Sequence, residues 1–89
     1  AVAETVDGVV YESFSTYYDD AGYAAWTGAD LQWTEQAAVR LQAVMGTRPI
    51  LTIDYASPDD KTLRQYAERR AQAYGFIPFV SAGHLDTLP

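Results

Sequence analysis

Two acids close short, β-prone runs in this chain: Glu12 ends "GVVYE" and Asp54 ends "ILTID". In folds that alternate strands with helices, ligands gather at the carboxyl ends of the strands, where loops and helix N-termini converge. Those ends carry Glu12 and Ser13, then Asp54 and Tyr55, then Ser81 from a third run, "IPFVS". Neighbouring strands lie about 4.8 Å apart, so adjacent tips can hold two carboxyl groups within the roughly 5–9 Å used in glycoside hydrolysis. Glu12 and Asp54 are therefore the candidate catalytic residues. The alternative is that both acids are solvated or ion-paired strand termini, since strand tips are generally polar.

The segment after Glu12 is the second candidate for chemistry. "YESFSTYYDDAGYAAW" places Tyr11, Phe14, Tyr17, Tyr18, Tyr23 and Trp26 around Asp19 and Asp20. Aromatic faces stack on sugar rings, and carboxylates bond hydroxyls or ammonium groups. Tyr11, Ser13, Tyr17, Tyr18, Asp19, Tyr55 and Ser81 form the candidate substrate-binding set. Rings that merely pack the loop onto the body of the protein are the competing reading, with some rings expected in each role.

Other chemistries lack their residues. With no cysteine there is neither a disulfide nor a thiolate metal site, and His84 is the only histidine, so no metal or cofactor is expected. "GHLD" around His84 reads as a turn. GxGxxG, Walker A and GxSxG sequences are absent, which disfavours dinucleotide, P-loop and α/β-hydrolase readings. Twelve acidic residues against six basic give a net charge of −6, and Arg69-Arg70 is the lone adjacent basic pair, too little for a phosphate backbone. The acidic balance suits a cationic or neutral partner. No stretch approaches the ~18 apolar residues of a membrane span, and "AVAETVDG" is not an intact signal peptide. A chain that begins with Ala reads as a processed or excised piece.

At 89 residues, 48% of them hydrophobic and 20% charged, the chain has the composition of one small globular domain. The runs predict strands over 8–12, 50–54 and 77–81, with Pro78 arguing against a fully paired central position. A helix is predicted over 30–45, its apolar face formed by Ala37, Leu41, Val44 and Met45, with Thr27 or Asp30 capping its start and Gly46 its end. A second helix reads from Ser57 as N-cap and Pro58 as first helical residue, through a stripe of Leu63, Ala67, Ala71 and Tyr74, to Gly75. Arg64, Arg69 and Arg70, among Asp59, Asp60 and Glu68, read as its exposed face. The connection from the first strand to the first helix, about 17 residues, is long for an α/β unit and often functional in such units.

The order βαβαβ requires parallel strands joined by right-handed crossovers, with both helices on one side. Parallel sheets occur almost only with both faces covered, so three strands with one bare face read as part of a larger α/β layer or barrel. The missing layer would come from the remainder of a barrel or from another chain.

The blocks "DGVVYES", "RPILTIDYA" and "AYGFIPFVSAGHLDTLP", in that order and spacing, resemble the last part of glycoside hydrolase family 114, the endo-α-1,4-polygalactosaminidase-like (β/α)8 barrels. The resemblance covers essentially the whole chain and implies a parallel βαβαβ unit, the last three strands of a (β/α)8 TIM barrel. It further implies two-carboxylate, retaining-type cleavage of a galactosamine-containing polysaccharide or oligosaccharide, in an extracellular or cell-envelope setting. Glu12 takes the general acid/base role by that resemblance, and Asp54 matches the acid of the next strand, with a substrate-binding or pKa-tuning role. The partner aspartate belongs to an earlier strand. An acid/base glutamate must hold its proton near neutral pH, which needs burial or a nearby anion, for which Asp54 is the candidate. A non-catalytic carbohydrate-binding or structural module, and an open α/β domain completed by another chain, are the alternatives.

Overall fold

The computed structural model describes residues 2–4, as backbone, and residues 8–82. The described residues form strands and helices in the order β1 (Val2–Glu4), β2 (Val9–Glu12), β3 (Thr16–Asp19), β4 (Gly22–Ala25), α1 (Gly28–Met45), β5 (Ile50–Tyr55), α2 (Lys61–Ala73) and β6 (Ile77–Ser81). The main sheet has the order β1-β2-β5-β6, and β3 pairs with β4 in a separate hairpin.

Strands β2, β5 and β6 are parallel, with Val9 opposite Ile50 and Leu51 opposite Ile77. This is the predicted βαβαβ unit, and β6 takes an edge, where the missing N–H of Pro78 does least harm. Strand β1 is an addition that the apolar patterning did not predict. It runs antiparallel to β2, with Val2 opposite Tyr11 and Glu4 opposite Val9. The sheet is therefore mixed, and the edge of β2 that a neighbouring barrel strand would use is occupied by an antiparallel partner. The coarse α/β architecture stands; the last three strands of a TIM barrel remain an interpretation of it.

Alternation decides what each face carries. Val9, Tyr11, Ile50 and Thr52 are buried beneath the helices, while Leu51, Ile77 and Phe79 are exposed on the other side. The core joins Val9, Tyr11 and Ile50 to Phe14, Ala38 and Met45, and to Ala71 and Phe76. Phe14 is its centre, with edge-on ring contacts to Tyr11, Tyr74 and Phe76 at centroid distances of 5.3, 5.2 and 5.3 Å. Such contacts contribute roughly 0.5–1.5 kcal/mol each beyond the area they bury.

Helix α1 starts at Gly28, two residues before the predicted start, and Thr27 precedes it in an extended conformation without a side-chain cap. Its buried positions are Thr34, Ala38 and Met45, with Leu41 half-buried. That is an i, i+4, i+7, i+11 stripe, and Val44, predicted on it, falls to the flank and is exposed. Thr34 escapes a hydrophobicity pattern because it is polar. Its hydroxyl is satisfied by donating to the Leu31 carbonyl at 2.7 Å.

Helix α2 starts three residues later than predicted. Ser57 to Asp60 forms a turn closed by the Asp60 N–H to the Ser57 carbonyl at 3.0 Å, and the Asp60 carboxylate then caps the helix by accepting from the Leu63 N–H at 3.0 Å. Ala67 and Ala71 are buried as predicted. No described helix is long and apolar enough to cross a membrane.

Candidate functional site

The carboxyl end of β2 turns sharply. Ser13 has a φ of 57°, a left-handed conformation that costs a non-glycine residue about 1–2 kcal/mol. The Ser13 N–H donates to the Ile53 carbonyl at 2.7 Å. The turn sends Phe14 down into the core and leaves Glu12 as the last strand residue on the opposite side.

Register then separates the two candidate acids. Glu12 stands opposite Ile53, so Glu12, Ile53 and Tyr55 share the bare face while Asp54 points to the helix-covered one. The predicted Glu12–Asp54 pair is not brought together on one face. Glu12 is exposed, and its Oε1 accepts a hydrogen bond from the Tyr55 hydroxyl at 2.6 Å. Burial, and then the bond and charge of Glu12, push the Tyr55 hydroxyl pKa far upward, so Tyr55 remains a donor.

Asp54 is 1% exposed. Its Oδ1 accepts from the backbone N–H of Ser15 at 2.6 Å and of Thr16 at 3.0 Å. The Thr16 hydroxyl in turn accepts from the Tyr55 N–H at 2.7 Å. Burial raises the Asp54 pKa, opposed by the Thr16 and Ser15 amides and by Arg70. The side chain assigned to catalysis or substrate contact is thus a buried clamp that ties the start of the hairpin to the tip of β5.

The remaining predicted residues divide between the inside and the surface. Tyr11 is a core residue whose hydroxyl donates to the Thr34 carbonyl at 3.1 Å, and it is too buried to meet a substrate. Ser13 is half-buried, and its carbonyl accepts from the Trp26 indole N–H at 2.7 Å. Tyr17 stacks on Trp26 at 4.2 Å, and Tyr18 sits against Tyr23 at 4.9 Å. Alternation along the hairpin puts these two pairs on its opposite faces. Asp19 closes the hairpin turn by accepting from the Ala21 N–H at 2.9 Å. Ser81 is opposite Tyr55 on the bare face, nearly buried, and its carbonyl accepts from the Ala56 N–H at 3.0 Å. The long loop is therefore an ordered hairpin rather than an irregular segment, and the Tyr23 hydroxyl bonds the Ala82 carbonyl beyond β6.

Arg70 corrects the reading of α2 as a uniformly charged outer face. Its side chain is only 16% exposed and pairs with Glu35 of α1 at 3.3 Å. Its Nε donates to the Ser15 hydroxyl at 2.8 Å, and its guanidinium lies over the Phe14 ring at 4.8 Å. The Tyr74 hydroxyl also donates to Glu35, at 3.4 Å. Arg70 precedes the buried Ala71 and so flanks the apolar stripe, the one local hint that it turns inward. Trp26, Trp33 and Thr16 are further residues at this end of the sheet that the strand-tip reasoning did not select.

His84 lies outside the described residues. Among the described residues, no group of three or more His, Cys, Asp or Glu side chains is placed to hold a metal. Comparison with known proteins finds no matching family model, no matching curated protein and no matching solved structure.

Proposed function

We propose that this chain carries the acid/base segment of a glycoside hydrolase-like site of the family 114 type, acting on an extracellular or cell-envelope polysaccharide that contains galactosamine. The observation that supports it is the Glu12–Tyr55 pair on the bare face of a parallel sheet, at the strands' carboxyl ends, with both helices on the other side. In that reading the bare face becomes the inside of a barrel, and further strands bury Glu12 and supply its proton-retaining environment. Tyr55 holds Oε1 of Glu12, fixing the carboxyl orientation. Glu12 protonates the glycosidic oxygen as the C–O bond breaks, and a second carboxylate about 5–5.5 Å away attacks the anomeric carbon. Glu12 then takes a proton from the water that releases the sugar. Asp54 does not belong to this pair; it positions the hairpin from beneath.

A non-catalytic carbohydrate-binding module is the second reading, and β1 is what favours it. An antiparallel strand on the edge of β2 takes the place where a barrel strand bearing the second carboxylate would pair. The two readings part on cleavage. The 89 residues alone are expected to release no reducing ends from α-1,4-linked polygalactosamine, because among the described residues β2, β5 and β6 place no second carboxylate on the face of Glu12. In a longer chain that includes them, Glu12→Gln abolishes reducing-end release while the melting temperature holds. Near-normal cleavage by that variant would overturn the acid/base assignment, and absence of cleavage in every such chain that still binds the polymer would establish the binding module.

A further inference from the structure

A small cavity of about 100 Å³ opens between the hairpin and the first turns of α1 and is lined by Trp26, Asp30, Trp33 and Thr34. We infer that this slot binds the ammonium group of an amino sugar. The choice of an amino sugar, rather than another organic cation, rests on the proposed function.

The walls state the chemistry. Asp30, Trp33 and Thr34 are spaced i, i+3, i+4 and so share one face of α1, turned towards Trp26. Trp26 is fixed in place, by its indole N–H on the Ser13 carbonyl and by the stack on Tyr17. Trp33 is 62% exposed, a large apolar side chain that folding leaves in water. The Thr34 hydroxyl spends its proton on the Leu31 carbonyl, and Asp30 is the charged acceptor in the slot. Asp30 has no basic partner among the described residues, and no Lys or Arg lines the slot.

Two indoles and a carboxylate, with no cation of their own, complement a positive guest. Tryptophan is the best aromatic partner for a cation, and an ammonium group can touch the ring face while bonding a carboxylate. The cavity takes the ammonium and the carbon that bears it, and the rest of a hexosamine ring then lies over the exposed face of Trp33. Ser13, which holds Trp26, is the residue after Glu12, so the fixed wall of the slot is tied to the strand tip that carries the acid. N-acetylation would remove the charge and enlarge the group, and both changes oppose entry.

The indole N–H resonances of Trp26 and Trp33 report occupancy directly. The 89-residue chain is titrated with methyl α-galactosaminide, with its N-acetylated counterpart and with choline. The free amine and choline are expected to shift both resonances, with the N-acetylated sugar about tenfold weaker or worse. Trp33→Ala and Asp30→Asn should each weaken the free amine by about tenfold, and Asp30→Glu should restore it. Equal binding of the amine and its N-acetylated form, or indifference to both Trp33→Ala and Asp30→Asn, would overturn the slot. Binding of choline without the galactosaminide would overturn the sugar assignment. Glu12→Gln should leave all of these titrations unchanged, so a failure of the acid/base reading, seen in cleavage, is distinguishable from a failure here.

Discussion

Asp54 shows how far a single carboxylate can be turned from one task to another by the parity of its position. Glu12 aligns with Ile53, so the acid one step further along β5 faces the helices, where it gathers two backbone amides of the hairpin start. Removing it leaves both amides without an acceptor in a buried place, and Asp54→Ala should lower stability by about 2–4 kcal/mol in urea denaturation. The pH dependence has a defined sign. Its folded pKa is raised, so the folded chain keeps a proton that the unfolded chain sheds from about pH 3.9 upward. The stability due to this group is fully present below the unfolded value and is lost as pH rises through the folded one. Arg70, Tyr11 and Tyr55 are the charged and titratable groups coupled to it. Asp54→Asn keeps an acceptor oxygen but no titration. The stability of the parent minus that of this variant should therefore fall from pH 4 towards higher pH; a flat or rising difference would contradict the assignment. The two strand-tip acids were legible in the sequence as tips, but their faces were not, because parity depends on inter-strand register.

At the scale of elements, the start of α2 offers the sharpest contrast. "SPDD" reads as N-cap followed by proline, yet Asp60 is the cap, while the Ser57 hydroxyl meets only the Asp59 N–H at 3.5 Å. Asp60→Ala should destabilise the chain by about 1 kcal/mol, and Ser57→Ala by only a few tenths. A larger loss for Ser57→Ala would restore the earlier boundary. The three parallel strands and the existence of both helices were legible because apolar runs of the right period lie between Pro and Gly boundaries. The hairpin was hidden in a segment whose aromatic density reads equally as ligand surface. Strand β1 was hidden because three residues give no periodicity. Arg70 was misread because charge on a helix normally means solvent, whereas here Glu35, Ser15 and Phe14 partner it inside, with Nη2 left without an acceptor among the described residues.

The molecule as a whole is asymmetric about its sheet. One face is packed by both helices, and the other presents Leu51, Ile77 and Phe79 to solvent, Ile77 being 53% exposed. Three adjacent parallel strands left bare on one side are unusual, and contiguous exposed apolar side chains favour association. Replacing Ile77 with Thr and Phe79 with Lys should reduce dye binding to exposed apolar surface and lower the mass seen by light scattering at high concentration. Because both positions are exposed, each change should alter stability by no more than about 0.5 kcal/mol. An unchanged mass and unchanged dye binding would show that this face is not a source of association.

The hairpin has a property that follows from how its ends are held. The Trp26 N–H donates to the Ser15 carbonyl at 3.0 Å, so the chain enters and leaves β3–β4 at nearly the same point, and Asp54 grips only the entrance. Thr16 and Tyr23 also tie the hairpin to the body, through the Tyr55 N–H and the Ala82 carbonyl, so what hangs free from this closed neck is the tip from Asp19 to Gly22. Its length and composition are therefore free to drift, or to be exchanged by grafting, without moving the strand register or the helices. In this chain, diversification of what is recognised is decoupled from the scaffold that holds Glu12.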